Sequence, residues 1–179
     1  MSYHRVMVIE LLTTRNAAEY RSLMLDAYAR HSDAFTSTVA ERATHPIAWW
    51  EARMSEDTAA SALVLGAFVE GRLVGAAGLS FDTREKARHK STLFGMYVPA
   101  EMRGRGVGQL LVQSVLDHAQ ARQGVCVVQL TVTQGNVSAQ RLYERCGFVE
   151  FGVEPFAVAV GAQYVSKVHM WCDLGHRSK

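Results

Sequence analysis

Residues 93 to 123 constrain the fold of this chain more than any other stretch, because they join an apolar strand, a glycine-rich loop and a long helix. The loop reads Arg103-Gly104-Arg105-Gly106-Val107-Gly108, with glycine at every second position. Without Cβ atoms, the glycines can turn tightly and let a ligand approach the backbone. The apolar positions that follow have the period of a helix packed on a sheet, and they are Val107, Leu110, Leu111, Val115 and Ala119.

The start of this helix is typical of an anion-binding site. The first N–H groups of a helix have no partner within it and lie at the positive end of its dipole. A pyrophosphate suits that position, and Arg103 and Arg105 add positive charge beside it. The loop therefore predicts a phosphate site, without indicating which compound carries the phosphate.

Composition places the chain among ordinary globular proteins. Its 179 residues are 49% hydrophobic and 20% charged, which fits one domain over residues 1–179. A net charge of +2 is too small to favour nucleic acid or an anionic membrane as a partner, and no apolar run reaches the ~20 residues of a spanning helix. The three cysteines are widely spaced and fit neither a disulfide framework nor a zinc site, so we expect a cytoplasmic protein without a metal.

The order of the predicted elements indicates a mixed sheet. Hairpin turns at 70–71 and 161–162 lie on either side of a strand–helix–strand unit. We therefore predict an α/β (α+β) fold in which helices cover both faces of a mostly antiparallel sheet. The predicted strands are 5–12, 61–70, 72–81, 93–98, 125–133, 149–160 and 163–173. The predicted helices are 16–30 (capped by Thr14), 46–56, 107–123 and 138–146.

Residues 31–60 differ from the rest, because they are polar and irregular. Loops on a rigid scaffold commonly determine specificity, so we expect this arm to contact the substrate. Trp49 and Trp50 are candidates for the lining of a substrate pocket, although we expect one of them to pack in the core.

Two motifs indicate whose phosphate the loop binds. The chain has no GxxxxGK[ST] run, and it lacks the GxGxxG spacing and the acidic strand tip of a dinucleotide fold. Instead, residues 103–108 resemble the R/Q-x-x-G-x-G/A signature of the GNAT superfamily of acyl-CoA-dependent N-acetyltransferases. Residues 136–148 resemble its second signature, N-x-x-A-x-x-x-Y-x-x-x-G-F. The resemblance is strong over 93–148, the predicted cofactor-binding core, and weak over 31–60.

This resemblance implies how acetyl-CoA binds. Backbone groups of Met96, Tyr97 and Val98 would pair with the pantetheine amides where their strand parts from strand 125–133. Asn136 would hydrogen-bond the pantetheine arm, and Tyr143 would point at the thioester sulfur as a general acid. The residues whose N–H groups would hold the pyrophosphate, beside Arg103, are Gly104, Arg105, Gly106, Val107, Gly108 and Gln109.

The general base is less well indicated. Many members of the superfamily place a glutamate where this chain has Thr131. An alkyl amine of pKa ~10.4 is almost wholly protonated at pH 7, so a proton route is needed. The candidates are Glu154, Glu41 and His169, acting directly or through water, and Glu154 is the first choice.

Two functional hypotheses follow. The first is transfer of an acetyl group from acetyl-CoA to a primary amine of a small molecule or a peptide, directly within a ternary complex. The second, which Thr131 favours, is a non-catalytic module that binds or senses acyl-CoA. Residues 31–60 mix acidic and basic side chains and leave the acceptor open. We also expect that the C-terminal hairpin could pair two copies into a homodimer.

Overall fold

The computed structural model of the protein describes residues 6–57 and 59–175, and the strands within these ranges form one sheet. Outside the described residues lie both ends of the predicted domain, including Arg5 of the predicted first strand, and also Thr58. The strands are β1 (Met7–Leu11), β2 (Ala62–Val69), β3 (Arg72–Phe81), β4 (Lys90–Tyr97), β5 (Val127–Thr133), β6 (Val149–Val160) and β7 (Gln163–Asp173). Their order is β1-β2-β3-β4-β5-β7-β6, and only β4 and β5 are parallel.

Helices cover both faces of this sheet. They are α1 (Ala17–Arg30), α2 (Val39–Ala43), α3 (Ile47–Glu51), α4 (Val107–Ala121) and α5 (Val137–Arg145). On β2, Leu65 belongs to the core beneath α4, whereas its neighbour Val64 belongs to the core beneath α1 and α3. Because successive side chains of a strand point to opposite faces, β2 needs apolar residues at consecutive positions. The predicted mixed, mostly antiparallel sheet with helices on both faces is confirmed.

Several predicted boundaries are wrong, each for a local reason. The predicted cap Thr14 lies within a short 3-10 helix, Thr14–Asn16, which is capped by Thr13, whose hydroxyl accepts from the N–H of Arg15 at 3.3 Å. The α-helix α1 follows from Ala17 and has no side-chain cap. The second predicted helix, 46–56, is reduced to the five residues of α3, and α2 precedes it. The strand predicted over 93–98 begins earlier, at Lys90, because Ser91 pairs with Phe81 of β3. The polar residues at the start of β4 did not indicate a strand.

For α4, which is the third of the predicted helices, one residue predicted to face the core does not. Leu110 fits the apolar period but is 47% exposed, whereas Leu111 is fully buried. The N–H of Leu110 bonds to the carbonyl of Gly106 at 3.0 Å, so both lie in the first turn of the helix. In this turn, Val107 and Leu111 pack against the sheet, and Leu110 points to solvent.

The parallel pair β4–β5 separates after three residues. Only Lys90–Thr92 pair with Val127–Gln129, and the Ser91 hydroxyl donates to the carbonyl of Val127 at 2.8 Å within this short region. Further along β4, Gly95 has φ +57°, which an L side chain rarely adopts. The register with β3 also shifts between Ala76 and Gly78. Such a bulge re-aims a strand, so β4 leaves β5 and opens a cleft at the carboxyl ends of both strands.

We expect Leu111→Ala to lower the free energy of unfolding by about 2–5 kcal/mol, because it removes a fully buried side chain between α4 and the sheet. The adjacent Leu110→Ala is the matched control, and it should change stability by less than about 0.5 kcal/mol. Urea unfolding measures both. Equal losses in the two variants would contradict the orientation of α4.

Candidate functional site

The cleft between β4 and β5 opens into a cavity of about 1050 Å³. It extends from the glycine loop before α4, along the separated strands, to the arm that follows α1. On the β4 side, its walls include the unpaired stretch from Leu93 to Tyr97. On the β5 side they include Thr131 and Thr133. One continuous space thus connects the predicted phosphate site with the predicted acceptor side.

At the phosphate end, the backbone is open. Gly104 and Gly106 have φ of +72° and +80°, and a Cβ placed on either would meet no atom within 4 Å. Gly106 is the residue before α4, and no side chain caps the helix there. The first N–H groups of α4 therefore face free space, as an anion site requires.

The two predicted arginines of the loop differ. Arg103 lines the cavity, where its Nε donates to the carbonyl of Val98 at 3.0 Å and its Nη2 lies 3.2 Å from Nε2 of His31. These contacts fix the guanidinium between the loop and the arm. Arg105 is exposed and is not among the residues that line the cavity.

Gly108 is needed for packing rather than for a turn. A Cβ at this position would lie 2.9 Å from Cδ2 of Leu142 and 3.4 Å from Cε of Met96. The absent side chain lets α5 approach the first turn of α4 beside β4. Both motifs, 103–108 and 136–148, therefore meet at one wall of the cavity.

The predicted cofactor residues of β4 line the cavity, and one of them is anchored on its other side. Met96 and Val98 are half-buried, and Tyr97 is 4% exposed. The Tyr97 hydroxyl donates to Oδ2 of Asp26 at 2.8 Å, and burial together with this hydrogen bond raises the pKa of Tyr97 to about 12. The side chain of Tyr97 thus ties β4 to α1, and only its backbone is left for a ligand.

Asn136 and Tyr143 lie on the opposite wall, on the second motif. Oδ1 of Asn136 accepts from the N–H of Ala139 at 3.3 Å and caps α5, so its amide NH₂ group is left for a ligand. Tyr143 is buried against Phe148, with ring centroids 5.8 Å apart. Burial raises the pKa of Tyr143 above its usual value, and among the described residues its hydroxyl has no hydrogen-bond partner.

At the acceptor end, the described residues of the predicted arm that line the cavity all lie within the segment 31–36. The two candidate tryptophans are elsewhere: Trp50 is 1% exposed beside Tyr20, and Trp49 stacks on His45 with centroids 4.0 Å apart. Neither tryptophan is among the residues that line the cavity, and the expectation that one of them packs in the core holds for Trp50. Trp49 packs against the same core beneath α1.

Other residues shape this end, and sequence reasoning missed them. The ring of Phe94 lies over Gly78, where a Cβ would be only 2.4 Å from its Cζ. Lys167, on β7, donates to the carbonyl of Ala34 at 2.9 Å, and Thr133 donates to the carbonyl of Asp33 at 2.6 Å. Lys167 and Thr133 thereby hold the arm against the sheet. The available signal was a lysine in the middle of a predicted strand.

Two of the three candidate bases contact each other, and the third, Glu41, lies elsewhere. Nε2 of His169 and Oε2 of Glu154 are 2.9 Å apart on β7 and β6. Neither lines the cavity, but Thr131, the strand partner of His169, does. Glu41 accepts hydrogen bonds from the N–H and hydroxyl of Thr38 at 2.8 and 3.2 Å, which cap α2 and lower the pKa of Glu41.

Two further features bear on partners. Within residues 6–57 and 59–175, no group of histidine, cysteine, aspartate and glutamate side chains is arranged to hold a metal ion. In the same ranges, no helix is both long and apolar enough to cross a membrane.

Known proteins resemble this chain over different lengths. Over 153 residues, 82% of each chain, it is 28% identical to an L-methionine sulfoximine/L-methionine sulfone acetyltransferase of Pseudomonas paraeruginosa. Over 84 residues, 46% of this chain, it is 32% identical to a spermidine N(1)-acetyltransferase of Vibrio cholerae. Over 71 residues it is 32% identical to a ribosomal protein bS18 alanine N-acetyltransferase of Salmonella typhimurium. The chain spans about half the length of the last two relatives.

Solved structures share the fold over almost the whole chain. A putative acetyltransferase of Salmonella typhimurium, solved with its cofactor acetyl-CoA, superposes with a TM-score of 0.79 at 20% identity, covering 97% of both chains. A GNAT-family acetyltransferase of Streptococcus pneumoniae gives 0.77 at 23% identity, covering 95% of this chain and 100% of the other.

The family is determined by a match of sequence rather than of shape. The pattern of the acetyltransferase (GNAT) family matches residues 21–148, which is more than half of the chain and includes both motifs, the separated strands and Tyr143. The chain therefore belongs to the GNAT family of acetyltransferases.

Proposed function

We propose that this chain moves the acetyl group of acetyl-CoA directly to a primary amine of a small molecule or a peptide, while both substrates occupy one cavity. The observation that carries this proposal is the continuity of that cavity. It passes from the open start of α4, between the unpaired edges of β4 and β5 and past Tyr143, to the arm at 31–36. A donor and an acceptor entering from opposite ends would meet at Tyr143.

The donor end fits acetyl-CoA, which supplies the acetyl group as a thioester. The N–H groups of Gly104 to Gln109 suit its pyrophosphate, with Arg103 beside them. The unpaired backbone of Met96 to Val98 suits the amides of the pantetheine arm, which would add to the edge of β4 as a strand does. The free amide NH₂ of Asn136 supplies a donor on the opposite wall. Arg105, which is exposed, would add only long-range charge.

The reaction forms one bond and breaks one. The lone pair of the amine attacks the acetyl carbon, an N–C bond forms, and the C–S bond breaks. The amine nitrogen gives up a proton to a base, and the departing sulfur receives a proton from the hydroxyl of Tyr143. The tyrosine then regains its proton from water. A backbone N–H of the separated part of β4 would stabilise the developing charge on the carbonyl oxygen.

The environment of Tyr143 suits a proton donor. Tyr143 lines the cavity, and its hydroxyl has no partner among the described residues, so it would be available to the sulfur. Its raised pKa keeps the phenol neutral over the working pH range. The same burial raises the pKa of the CoA thiol when its thiolate forms next to Tyr143. Because burial raises the pKa of the donor and of the acceptor alike, the proton transfer between them stays about as favourable as it is in water.

The best-supported proton acceptor is the pair Glu154 and His169. In the tautomer in which Nε2–H of His169 donates to Oε2 of Glu154, Nδ1 is left as a proton acceptor. The pair lies one strand beyond Thr131, so a water molecule on this polar face would link it to the amine. Glu41 is less suited, since its carboxylate already caps α2.

The acceptor class can be tested with the substrates of the relatives. Those proteins are named for spermidine, for L-methionine sulfoximine and sulfone, and for the alanine of a ribosomal protein. Release of free thiol from acetyl-CoA, followed with each of these amines and with a peptide that begins with alanine, tests transfer. Tight binding of CoA without turnover on any amine would instead support the non-catalytic hypothesis.

We expect Tyr143→Phe to lower kcat by about 10²–10⁴-fold, because the sulfur then leaves without a proton donor. Affinity for CoA, measured by calorimetry, should change little, since the ring remains in place. Thermal stability should not fall, since the hydroxyl has no partner among the described residues. Tyr164→Phe is the control: this tyrosine is 62% exposed and packs on Phe156, so activity should be unchanged. A Tyr143→Phe enzyme with full kcat would exclude the proposed acid.

We expect Glu154→Gln to lower kcat/KM more than tenfold at pH 7, because His169 then loses the carboxylate that orients it. The deficit should shrink as the pH approaches the acceptor pKa of ~10, where the amine loses its proton without help. The pH profile of kcat/KM measures this. Glu150→Gln is the matched control on the same strand, since Glu150 contacts only Gln140 among the described residues. A constant deficit at all pH values would point to a structural role.

A homodimer is part of the proposal. Large apolar side chains are exposed on the hairpin of β6 and β7, and they include Phe151, Phe156, Tyr164 and Trp171. Contiguous exposed apolar surface commonly marks an association site. Sedimentation velocity at several concentrations measures whether two copies associate.

A further inference from the structure

Lys167 is a buried cation at the acceptor end of the cavity, and one of the three N–H donors of its ammonium group has no partner among the described residues. The residue is 6% exposed and lines the cavity. Its ammonium donates to the carbonyl of Ala34 at 2.9 Å and to the hydroxyl oxygen of Thr133 at 3.2 Å. An ammonium has three N–H donors. Among the described residues, no carboxylate lies within ion-pairing distance of it.

The charge of Lys167 is not needed for the contacts that it makes. Both of its partners are neutral oxygens, which an amide NH₂ could also satisfy. Burial lowers the pKa of Lys167, and the carboxylates of Asp33 and Glu154 oppose that shift only from a distance. A buried cation without a paired anion is unfavourable. An anion brought by a ligand would remove that cost.

We propose that Lys167 binds an anionic group of the acceptor, so that the preferred acceptors are amines that also carry a carboxylate or a similar acid. This inference rests on the proposed function and narrows its substrate class. The same charge repels acceptors that are purely cationic, such as polyamines. Lys167 is a specificity residue in this scheme and takes no part in proton transfer.

The neighbours of Lys167 place the two ends of such an acceptor. His169 is two residues further along β7, so its side chain is on the same face, about 7 Å from that of Lys167. Glu154 is the strand partner of Lys167 and contacts His169. An amine next to a carboxylate would thus have its acid group at Lys167 and its nitrogen towards the proposed proton acceptor. An α-amino acid carries an amine and a carboxylate on the same carbon, as this arrangement requires.

The test compares matched pairs of acceptors that differ only in the acid group. Suitable pairs are L-leucine with 3-methylbutylamine and L-phenylalanine with 2-phenylethylamine. Within the pair that the wild-type enzyme acetylates faster, we expect kcat/KM to be about ten- to hundredfold higher for the amino acid than for the amine without the acid group. A charge-assisted hydrogen bond to a buried partner contributes about 1.5–3 kcal/mol, which corresponds to such a ratio. Spermidine should be a poor acceptor.

Two substitutions separate binding of the acid from the structural role of the lysine. Lys167→Gln keeps hydrogen-bond donors for the arm but removes the charge, and it should abolish the preference for the acid within each pair. Lys167→Arg keeps the charge and should retain part of the preference. Lys86→Gln, on an exposed turn, is the control. A residue that only held the arm in place would affect both members of a pair equally.

The outcomes are distinct. Equal or better transfer to the acid-free amines by the wild-type enzyme would overturn the inference while leaving the acetyltransferase function intact. So would a Lys167→Gln enzyme with an unchanged ratio. Absence of transfer to every amine, with CoA still bound, would overturn the proposed function, and the inference with it.

Discussion

The site depends on the failure of β4 and β5 to remain paired. Three residue pairs join the strands, and beyond Thr92 and Gln129 the facing backbone groups have no strand partner. Unpaired backbone N–H and C=O groups are unfavourable when buried. Here they border a cavity, and a ligand with amide groups along its length can satisfy them. The same separation that would weaken an ordinary sheet therefore prepares one edge of β4 for a peptide-like substrate.

The two sides of this opening are held by different means. On the β4 side, Tyr97 reaches through to Asp26 of α1, and Arg103 bonds to the carbonyl of Val98. On the β5 side, Thr133 and Lys167 bond to the carbonyls of residues 33 and 34. The segment after α1 thus spans the cleft and contacts both walls, through His31 on one and the β5–β7 pair on the other. Closure of the strands would break these contacts, so the opening is a stable feature of the fold.

Local motifs were predictable from the sequence, and long-range contacts were not. The loop at 103–108 and the start of α5 each depend on residues within a few positions. The loop precedes α4 as predicted, and α5 begins at Val137, one residue before the predicted start. The acceptor end depends on contacts such as Lys167 with Ala34, which are 133 residues apart. No pattern along the chain indicates such a pair. Trp50 shows the same limit, because only the packing of α1 on α3 makes it a core residue.

The placement of charge suggests how the two substrates are kept apart. Positive groups at the donor end, Arg103 and the start of α4, suit a pyrophosphate, and Lys167 lies at the other end near Asp33 and Glu154. Between them, the walls carry Tyr143 and the neutral threonines of β5. Arg145 is a further cation among the lining residues, so these neutral hydroxyl groups form only part of the wall between the two ends. Because a charge acts more strongly where protein walls replace part of the water, a neutral phenol donates a proton there without introducing a competing ion, and the uncharged hydroxyl groups around it favour attack by the uncharged form of the amine.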